Sequence, residues 1–271
     1  MTDYVPTAAA VLELVHDYRL HGFAISHPGV VPDEMTDPLM RTCLRKARTL
    51  DDNRGDRRMS INDKRNIEDN SWWKLLNWAI EPLSPIRAVM DTLHGDCWWY
   101  DVCGGDVVDA FSGHTHGPCC PHSDWQGCAD GVMAVSILVQ DLTADMAPLI
   151  IYSKHTGKKT VCVGLKGTLL FRDVDAIHHG SVNTSDKARV LPCIRFVSAR
   201  ALRSGYRPTQ FVPQKQALRF SLALKDKCVF IIEDDRKPED DDDDDAPAQR
   251  RFITPVGTVP DMLEDSSTPT E

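Results

Sequence analysis

The sequence lacks three features that would each assign the protein to a class at once. The chain has nine cysteines among 271 residues, yet no two are spaced as Cys-x-x-Cys, so the usual sign of a zinc ribbon or a thioredoxin-like site is missing. No apolar stretch approaches the roughly 18 residues that a membrane helix needs. The first twenty residues include acidic side chains and no apolar segment, so we expect no signal peptide. These gaps favour an intracellular, cytoplasmic protein whose cysteines are mostly reduced and buried.

An excess of positive charge is also missing. Lysine and arginine number 31 against 40 aspartates and glutamates, which gives a formal net charge of −9. This balance argues against a protein that holds nucleic acid by neutralising phosphates. Part of the acidity is local, because Glu239–Asp245 is an unbroken acidic run. The net charge is therefore compatible with a basic groove elsewhere in the chain. We expect neither a membrane nor a nucleic acid as partner, and nothing in the sequence indicates the oligomeric state.

The chain changes character near its middle. Helical spacing of apolar residues dominates the first 95 positions, apart from a charged stretch at 51–71 that reads as an exposed loop. Short β-rich runs follow from 106 to 199, separated by turn residues, and this pattern is typical of a β-sandwich or barrel. Residues 233–271 are acidic and then rich in proline, serine and threonine. We predict one domain at 1–232 and a mostly disordered tail at 233–271.

A His-x-Asp pair lies within the stretch PCCPHSDWQGC at 118–128. If the pair lies in a strand, the side chains of His122 and Asp124 point to the same side and can bind one metal ion. Imidazole and carboxylate donors together suit Fe(II), manganese or zinc, and a distant second histidine would complete a facial triad. The pair alone is a weak signal, because such tripeptides are common in solvated turns.

A second segment, GTLLFRDVDAIHHGSVNTSDKAR at 167–189, strengthens that signal. Together the two segments resemble the phytanoyl-CoA dioxygenase family of Fe(II)/2-oxoglutarate oxygenases. In that family a glycine precedes the distal iron-binding histidine by eleven residues, an asparagine follows it by five, and a 2-oxoglutarate-binding arginine follows it by eleven. Counting from His178, Gly167, Asn183 and Arg189 meet all three intervals. Counting from His179, none is met, so His179 is the alternative.

The resemblance implies a fold, a set of cofactors and a reaction. It implies a mainly β protein with supporting helices, built as a double-stranded β-helix (jelly roll, cupin-like) with its core at about 100–205. It implies that His122, Asp124 and His178 bind Fe(II) and that Arg189 binds 2-oxoglutarate, with ascorbate in a supporting role. The implied activity is a dioxygenase that hydroxylates a small molecule and releases succinate and CO2. Related halogenases lack the carboxylate that Asp124 supplies, so hydroxylation is the expected outcome.

Two departures and several alternatives accompany this interpretation. Residues 153–156 replace the family's Pro-Gly-Ser-His turn, and Ala147 stands where a glycine is usual, so substrate identity does not transfer. Arg195 is the alternative anchor for the co-substrate, and Asn183 either orients a loop or touches substrate.

Three further groups of residues are candidates for other roles. His114, His116, Cys119 and Cys120 could form a soft zinc site. The tryptophans at 72, 73, 78, 98 and 99 are interpreted as core, and Trp125 is interpreted as a pocket residue.

Two functions compete with the small-molecule oxygenase. One is a catalytically silent cupin-like binding protein that retains the fold and a metal. The other is an oxygenase acting on protein or nucleic acid, which a long basic groove would support.

Overall fold

A computed structural model of the chain describes residues 6–50, 57–63, 66, 68–95, 98–112, 120–124, 131–198, 200–201, 230–232 and 251–253. Contacts divide the chain into two units, Met1–Gln210 and Phe211–Glu271. The helices and strands of the first unit are α1 (Ala8–His21), β1 (Phe23–Ile25), α2 (Asp33–Ala47), β2 (Arg58–Ser60), α3 (Asn70–Ile80), α4 (Pro85–His94), β3 (Trp98–Val108), β4 (Val132–Ile137), β5 (Leu149–Tyr152), β6 (Lys159–Cys162), β7 (Leu169–Asp173), β8 (His178–Gly180) and β9 (Arg189–Ser198).

In the second unit, two short strands pair antiparallel, β10 (Phe230–Ile232) with β11 (Arg251–Ile253). The predicted tail at 233–271 lies outside the described residues except for β11, so the boundary at 232 stays a prediction. Among the described residues, no helix combines the length and the apolar character that crossing a membrane requires.

Local sequence signals explain where the helices of the first unit begin. Thr7 precedes α1, and its hydroxyl accepts a hydrogen bond from the amide of Ala10, which satisfies one of the free donors of the first turn. Ser84 caps α4 in the same way, and Pro85 takes the first helical position, where its missing N–H costs nothing. The apolar faces of these helices are buried, so the helices support the β-sheets as the sequence predicts.

Two antiparallel sheets form the core of the first unit. The larger has six strands in the order β1-β7-β4-β9-β3-β2, and the smaller has three in the order β6-β5-β8. An apolar cluster joins them, with Phe23, Leu170 and Leu191 from the larger sheet and Leu149 and Ile151 from the smaller. Two facing antiparallel sheets behind N-terminal helices are the architecture that the sequence predicts, and the fold class is confirmed.

The described part of the charged stretch at 51–71, which is 57–63, 66 and 68–71, differs from the prediction of an exposed loop or flap. Residues Arg58–Ser60 form β2, which pairs with β3 at the edge of the larger sheet. Asn66 is buried, and its amide donates to the carbonyls of Ile61 and Cys103. The prediction failed because the charged side chains have partners here: Arg58, for example, pairs with Asp106.

Ala147 gives a physical meaning to one departure from the family pattern. Its φ of 53° lies in the left-handed region, which glycine enters freely and which costs an alanine about 1–2 kcal/mol. The residue is also buried. The glycine usual at this point therefore suits the backbone conformation, and this chain retains the conformation without the glycine.

Gly167 gives the first testable prediction, because the start of β7 packs closely against the segment after β1. Its φ is +82°, and an added Cβ would lie 2.8 Å from the Gly29 Cα and the Val31 carbonyl oxygen. Gly29 has a similar φ of +71° but open space around a new Cβ. Gly29→Ala should lower the free energy of unfolding by about 1–2 kcal/mol. Gly167→Ala should lower it by about 1–3 kcal/mol more, because backbone must move.

Chemical denaturation monitored by circular dichroism measures both variants. Equal losses for Gly167→Ala and Gly29→Ala would contradict the close packing of the two segments.

Candidate metal centre

Three side chains from two distant segments meet at one end of the smaller sheet. The ligating atoms of His122, Asp124 and His178 all lie within 4.8 Å of one another. In the described part of the chain, it is the one group of three or more histidine, cysteine, aspartate or glutamate side chains that could hold a metal ion. His122 and Asp124 are exposed and His178 is buried, so the group is open on one side.

Backbone hydrogen bonds hold the two segments together. His122 and His178 form an isolated antiparallel bridge in which each amide donates to the other residue's carbonyl, at 2.9 and 2.8 Å. The amide of Asp124 donates to the carbonyl of Val174 at 3.0 Å, so the chain bends here. The strand geometry that would place His122 and Asp124 on one side is present only at His122, which forms the bridge with His178. The bond to Val174 supplies the constraint that a longer strand would have given.

The two adjacent histidines of β8 face opposite sides. The Nε2 atom of His178 lies 3.4 Å from Oδ1 of Asp124, and its ring centroid lies 4.6 Å from that of His122. His179 instead stacks on Tyr152, whose hydroxyl lies 3.3 Å from the His179 Nε2. This follows from strand geometry, in which successive side chains alternate. His178 is thus the histidine that reaches the group.

Both histidines of the group present Nε2 to its centre. The Nδ1 atom of His122 lies 2.9 Å from the carbonyl oxygen of Cys120, and Nδ1 of His178 lies 2.9 Å from that of Ala176. A carbonyl oxygen accepts a hydrogen bond, and an imidazole that donates from Nδ1 has a lone pair on Nε2 with which to bind a metal. Metal-binding histidines commonly have this arrangement.

Asp124 is held as a charged carboxylate. Desolvation by the surrounding protein would raise its pKa, but the interaction with the His178 imidazole and the positive charge of Arg172 outweigh that effect and hold the pKa well below its ordinary value. Nη2 of Arg172 donates to Oδ2 of Asp124 at 2.6 Å. The side chain is therefore a carboxylate, the form in which it binds a cation.

A cavity of about 340 Å³ opens beside this group. Its wall contains Asp124 and three arginines, at positions 172, 189 and 195. The remaining lining residues are Asn62, Gly105, Asp106, Ala134, Ser136, Leu149, Leu191 and Cys193. Arg189 is buried, and its Nη2 lies 3.9 Å from Oδ2 of Asp106. The wall thus carries three cationic and two anionic side chains.

Asn183 serves the loop between β8 and β9. Its side-chain amide donates to the carbonyls of Asp109 and Lys187, each at 2.8 Å, and its oxygen accepts from the amide and the hydroxyl of Ser185. It does not line the cavity. Of the two roles that the sequence leaves open, orienting the loop agrees with these contacts.

The other sequence candidates divide between the core and undescribed segments. Trp72 is fully buried in α3 and belongs to the core. Cys120 is exposed, and its contact with His122 runs through the backbone carbonyl and not the sulfur. His114, His116, Cys119 and Trp125 lie outside the described residues.

Arg172 and Asp106 are the charged cavity residues that sequence reasoning did not single out. Arg172 lies in the strand LLFRD, directly after three apolar residues and before the final aspartate. Charged residues are almost never fully buried unless they are paired, so an arginine in such a strand signals a buried partner. Period-two alternation places it on the same face as Leu170. The sequence therefore shows that Arg172 needs a buried partner, but it does not show which residue that partner is.

Comparison with known proteins places the fold. No protein-family model matches the sequence, and no curated protein matches it significantly. Solved structures do match. The non-heme alpha-ketoglutarate-dependent epimerase SnoN from nogalamycin biosynthesis aligns with a TM-score of 0.59 at 15% identity, over 71% of this chain and 84% of that one.

Two further solved structures match over a similar share of this chain. EctD from S. alaskensis, solved with 2-oxoglutarate and 5-hydroxyectoine, aligns with a TM-score of 0.54 at 14% identity, over 74% of this chain and 79% of that one. HygX from Streptomyces hygroscopicus, solved with nickel, 2-oxoglutarate and hygromycin B, gives 0.53 at 11%, over 69% and 87%. At these identities the likeness establishes the fold, which is the cupin-like jelly roll of these proteins.

The opposite orientations of the two β8 histidines generate a prediction for metal binding. His178→Ala should abolish binding of Mn(II) or Co(II), because it removes one of three converging ligand atoms. His179→Ala should retain it, because that ring faces Tyr152. Calorimetric titration of the metal into each variant measures the difference. Loss of binding in His179→Ala and not in His178→Ala would reverse the assignment.

Proposed function

We propose that this protein is an Fe(II)- and 2-oxoglutarate-dependent dioxygenase in which His122, Asp124 and His178 hold the metal. The observation that carries the proposal is the meeting of these three ligand atoms within 4.8 Å, with both imidazoles turned to offer Nε2. Two histidines and one carboxylate are the donor set of the facial triad that binds non-haem Fe(II) and leaves positions open for other ligands. The donors therefore fit this metal.

Arg189 is proposed to anchor the co-substrate. It is buried in the wall of the cavity that also contains Asp124, so one dicarboxylate could reach both the metal and the arginine. Arginine keeps its charge at all working pH values and offers a planar pair of donors that matches a carboxylate. When bound, Fe(II) and 2-oxoglutarate would allow O2 to oxidise a substrate C–H bond: one oxygen atom of O2 would enter the substrate as a hydroxyl group, and the other would enter succinate as 2-oxoglutarate loses CO2.

The comparisons support the cofactors more strongly than the reaction. SnoN has been solved with Fe3+ and alpha-ketoglutarate, and EctD and HygX with 2-oxoglutarate. The same set contains an epimerase, a carbocyclase and a monooxygenase, so fold and cofactors do not fix the outcome. We favour hydroxylation because Asp124 is present, whereas related halogenases lack this carboxylate. The resemblance to the phytanoyl-CoA dioxygenase family is likewise part of the proposal.

The size of the cavity supports a small-molecule substrate. Its volume of about 340 Å³ lies at the lower end of the range for ligand sites, about 300–1,000 Å³. Its wall mixes apolar side chains with a few charged ones, as sites for polar metabolites do. An extended basic groove for nucleic acid has no counterpart among these lining residues.

Titration of 2-oxoglutarate into the anaerobic Fe(II) protein tests both the function and the role of Arg189. The wild type should develop the visible charge-transfer band of the bound co-substrate. Arg189→Ala should keep the metal and bind 2-oxoglutarate about tenfold to a hundredfold more weakly, since a charge-assisted bond contributes roughly 1.5–3 kcal/mol. Arg189→Lys should restore binding only in part, because an ammonium lacks the guanidinium's paired donors.

Two results would contradict this account. The absence of a band in the wild type would favour a silent binding protein. A normal band in Arg189→Ala would transfer the anchoring role to Arg195, which lines the same cavity.

A further inference from the structure

Arg172 is a buried charge that the proposed function does not use. It lies on β7 in register with Ala134 of β4, with only 7% of its surface exposed. It also lines the cavity beside the candidate metal centre. A buried arginine on a central strand needs a compensating partner, and the identity of that partner indicates its role.

The partner is one oxygen of a candidate metal ligand. Nη2 of Arg172 donates to Oδ2 of Asp124 at 2.6 Å. The other oxygen, Oδ1, is the one that lies 3.4 Å from Nε2 of His178. The two oxygens of a single carboxylate therefore face different groups, one the guanidinium and the other the second imidazole.

The guanidinium also borders the imidazole of His178. Its Nη1 lies 3.2 Å from the Nδ1 atom of His178, and the same Nδ1 lies 2.9 Å from the carbonyl oxygen of Ala176. Arg172 thus contacts both Asp124 and His178. Because it is buried on a strand whose neighbours on both sides, β1 and β4, pair with it, its side chain is a fixed support for both.

We infer that Arg172 is a positioning residue that keeps Asp124 a one-oxygen ligand, and this inference rests on the proposed function. Carboxylates bind metals through one oxygen or through both. A strong charge-assisted bond to Oδ2 leaves Oδ1 to face the imidazoles and the metal. With Oδ2 released, the carboxylate can chelate through both oxygens and fill a position that 2-oxoglutarate requires. The role of Arg172 is therefore to keep that position available.

A purely electrostatic role for Arg172 makes a different prediction. If the guanidinium only adds positive charge near the metal, its removal should strengthen metal binding and leave the coordination unchanged. The positioning role predicts a changed coordination even before co-substrate is added. The visible spectrum of a bound Co(II) ion distinguishes the two, because it responds to the number and arrangement of ligands.

Co(II) titrations of the wild type, Arg172→Met and Arg172→Lys test the inference. Arg172→Met should bind Co(II) with an altered visible band and should bind 2-oxoglutarate at least about tenfold more weakly, the scale on which groups behind metal ligands act. Arg172→Lys, which can still donate one bond to Oδ2, should give a band closer to that of the wild type. If Arg172→Met does not fold, Arg172→Gln replaces it, since the shorter amide falls short of Asp124.

A control variant separates this role from others. Arg87→Met removes a partly buried arginine that pairs with Asp91 on α4, at 3.4 Å and outside the cavity, and it should leave the band unchanged.

A wild-type Co(II) band in folded Arg172→Met would overturn the positioning role while leaving the proposed function intact. Failure of the wild type to bind Co(II) would instead overturn the proposed function, and the inference with it.

Discussion

The backbone bridge between His122 and His178 is the contact on which the site depends. Its two hydrogen bonds join a segment that precedes β4 to the short strand β8, so residues far apart along the chain become neighbours. A pairing of this kind is costly to form, because the intervening chain must be ordered first. The rest of the jelly roll supplies that order by stacking the two sheets over a common apolar cluster. The fold therefore acts as the frame that brings two imidazoles and a carboxylate together.

The two aspartates of the cavity wall each face at least one arginine. Arg172 bonds to Asp124, while Arg58 and Arg189 both approach Asp106. Each pair compensates for part of the large cost of taking charges out of water. The pairs differ in function under the proposal: Arg172 supports a metal ligand, whereas Arg189 exchanges a distant aspartate for a co-substrate carboxylate. An arginine 3.9 Å from its partner is more easily recruited than one at 2.6 Å.

The sequence predicted the frame because short β-rich runs separated by turn residues indicate facing sheets. Alternation in strands also requires that only one of His178 and His179 faces the metal group. The resemblance to the oxygenase family, through the intervals to Gly167 and Arg189, implies His178, and its role as a metal ligand stays a proposal. The bond between Arg172 and Asp124 was not predictable in the same way, since it joins two segments whose pairing depends on the whole fold. The strand at Arg58–Ser60 was missed because its charged composition hides partners that only tertiary structure provides. Substrate identity was not predictable either, because residues 153–156 depart from the turn of the family that the sequence resembles.

The most direct measurement of the central claim is the conversion of isotope-labelled 2-oxoglutarate to succinate, followed by NMR in the presence of Fe(II), oxygen, ascorbate and a pool of metabolites. The account predicts that the wild-type protein forms labelled succinate and that Asp124→Ala, which lacks the carboxylate of the metal centre, forms none above background. Raising the fraction of the pool that contains the true substrate should raise the rate for the wild type alone. Equal succinate from the wild type and from Asp124→Ala would contradict the claim that these three residues hold a working iron centre.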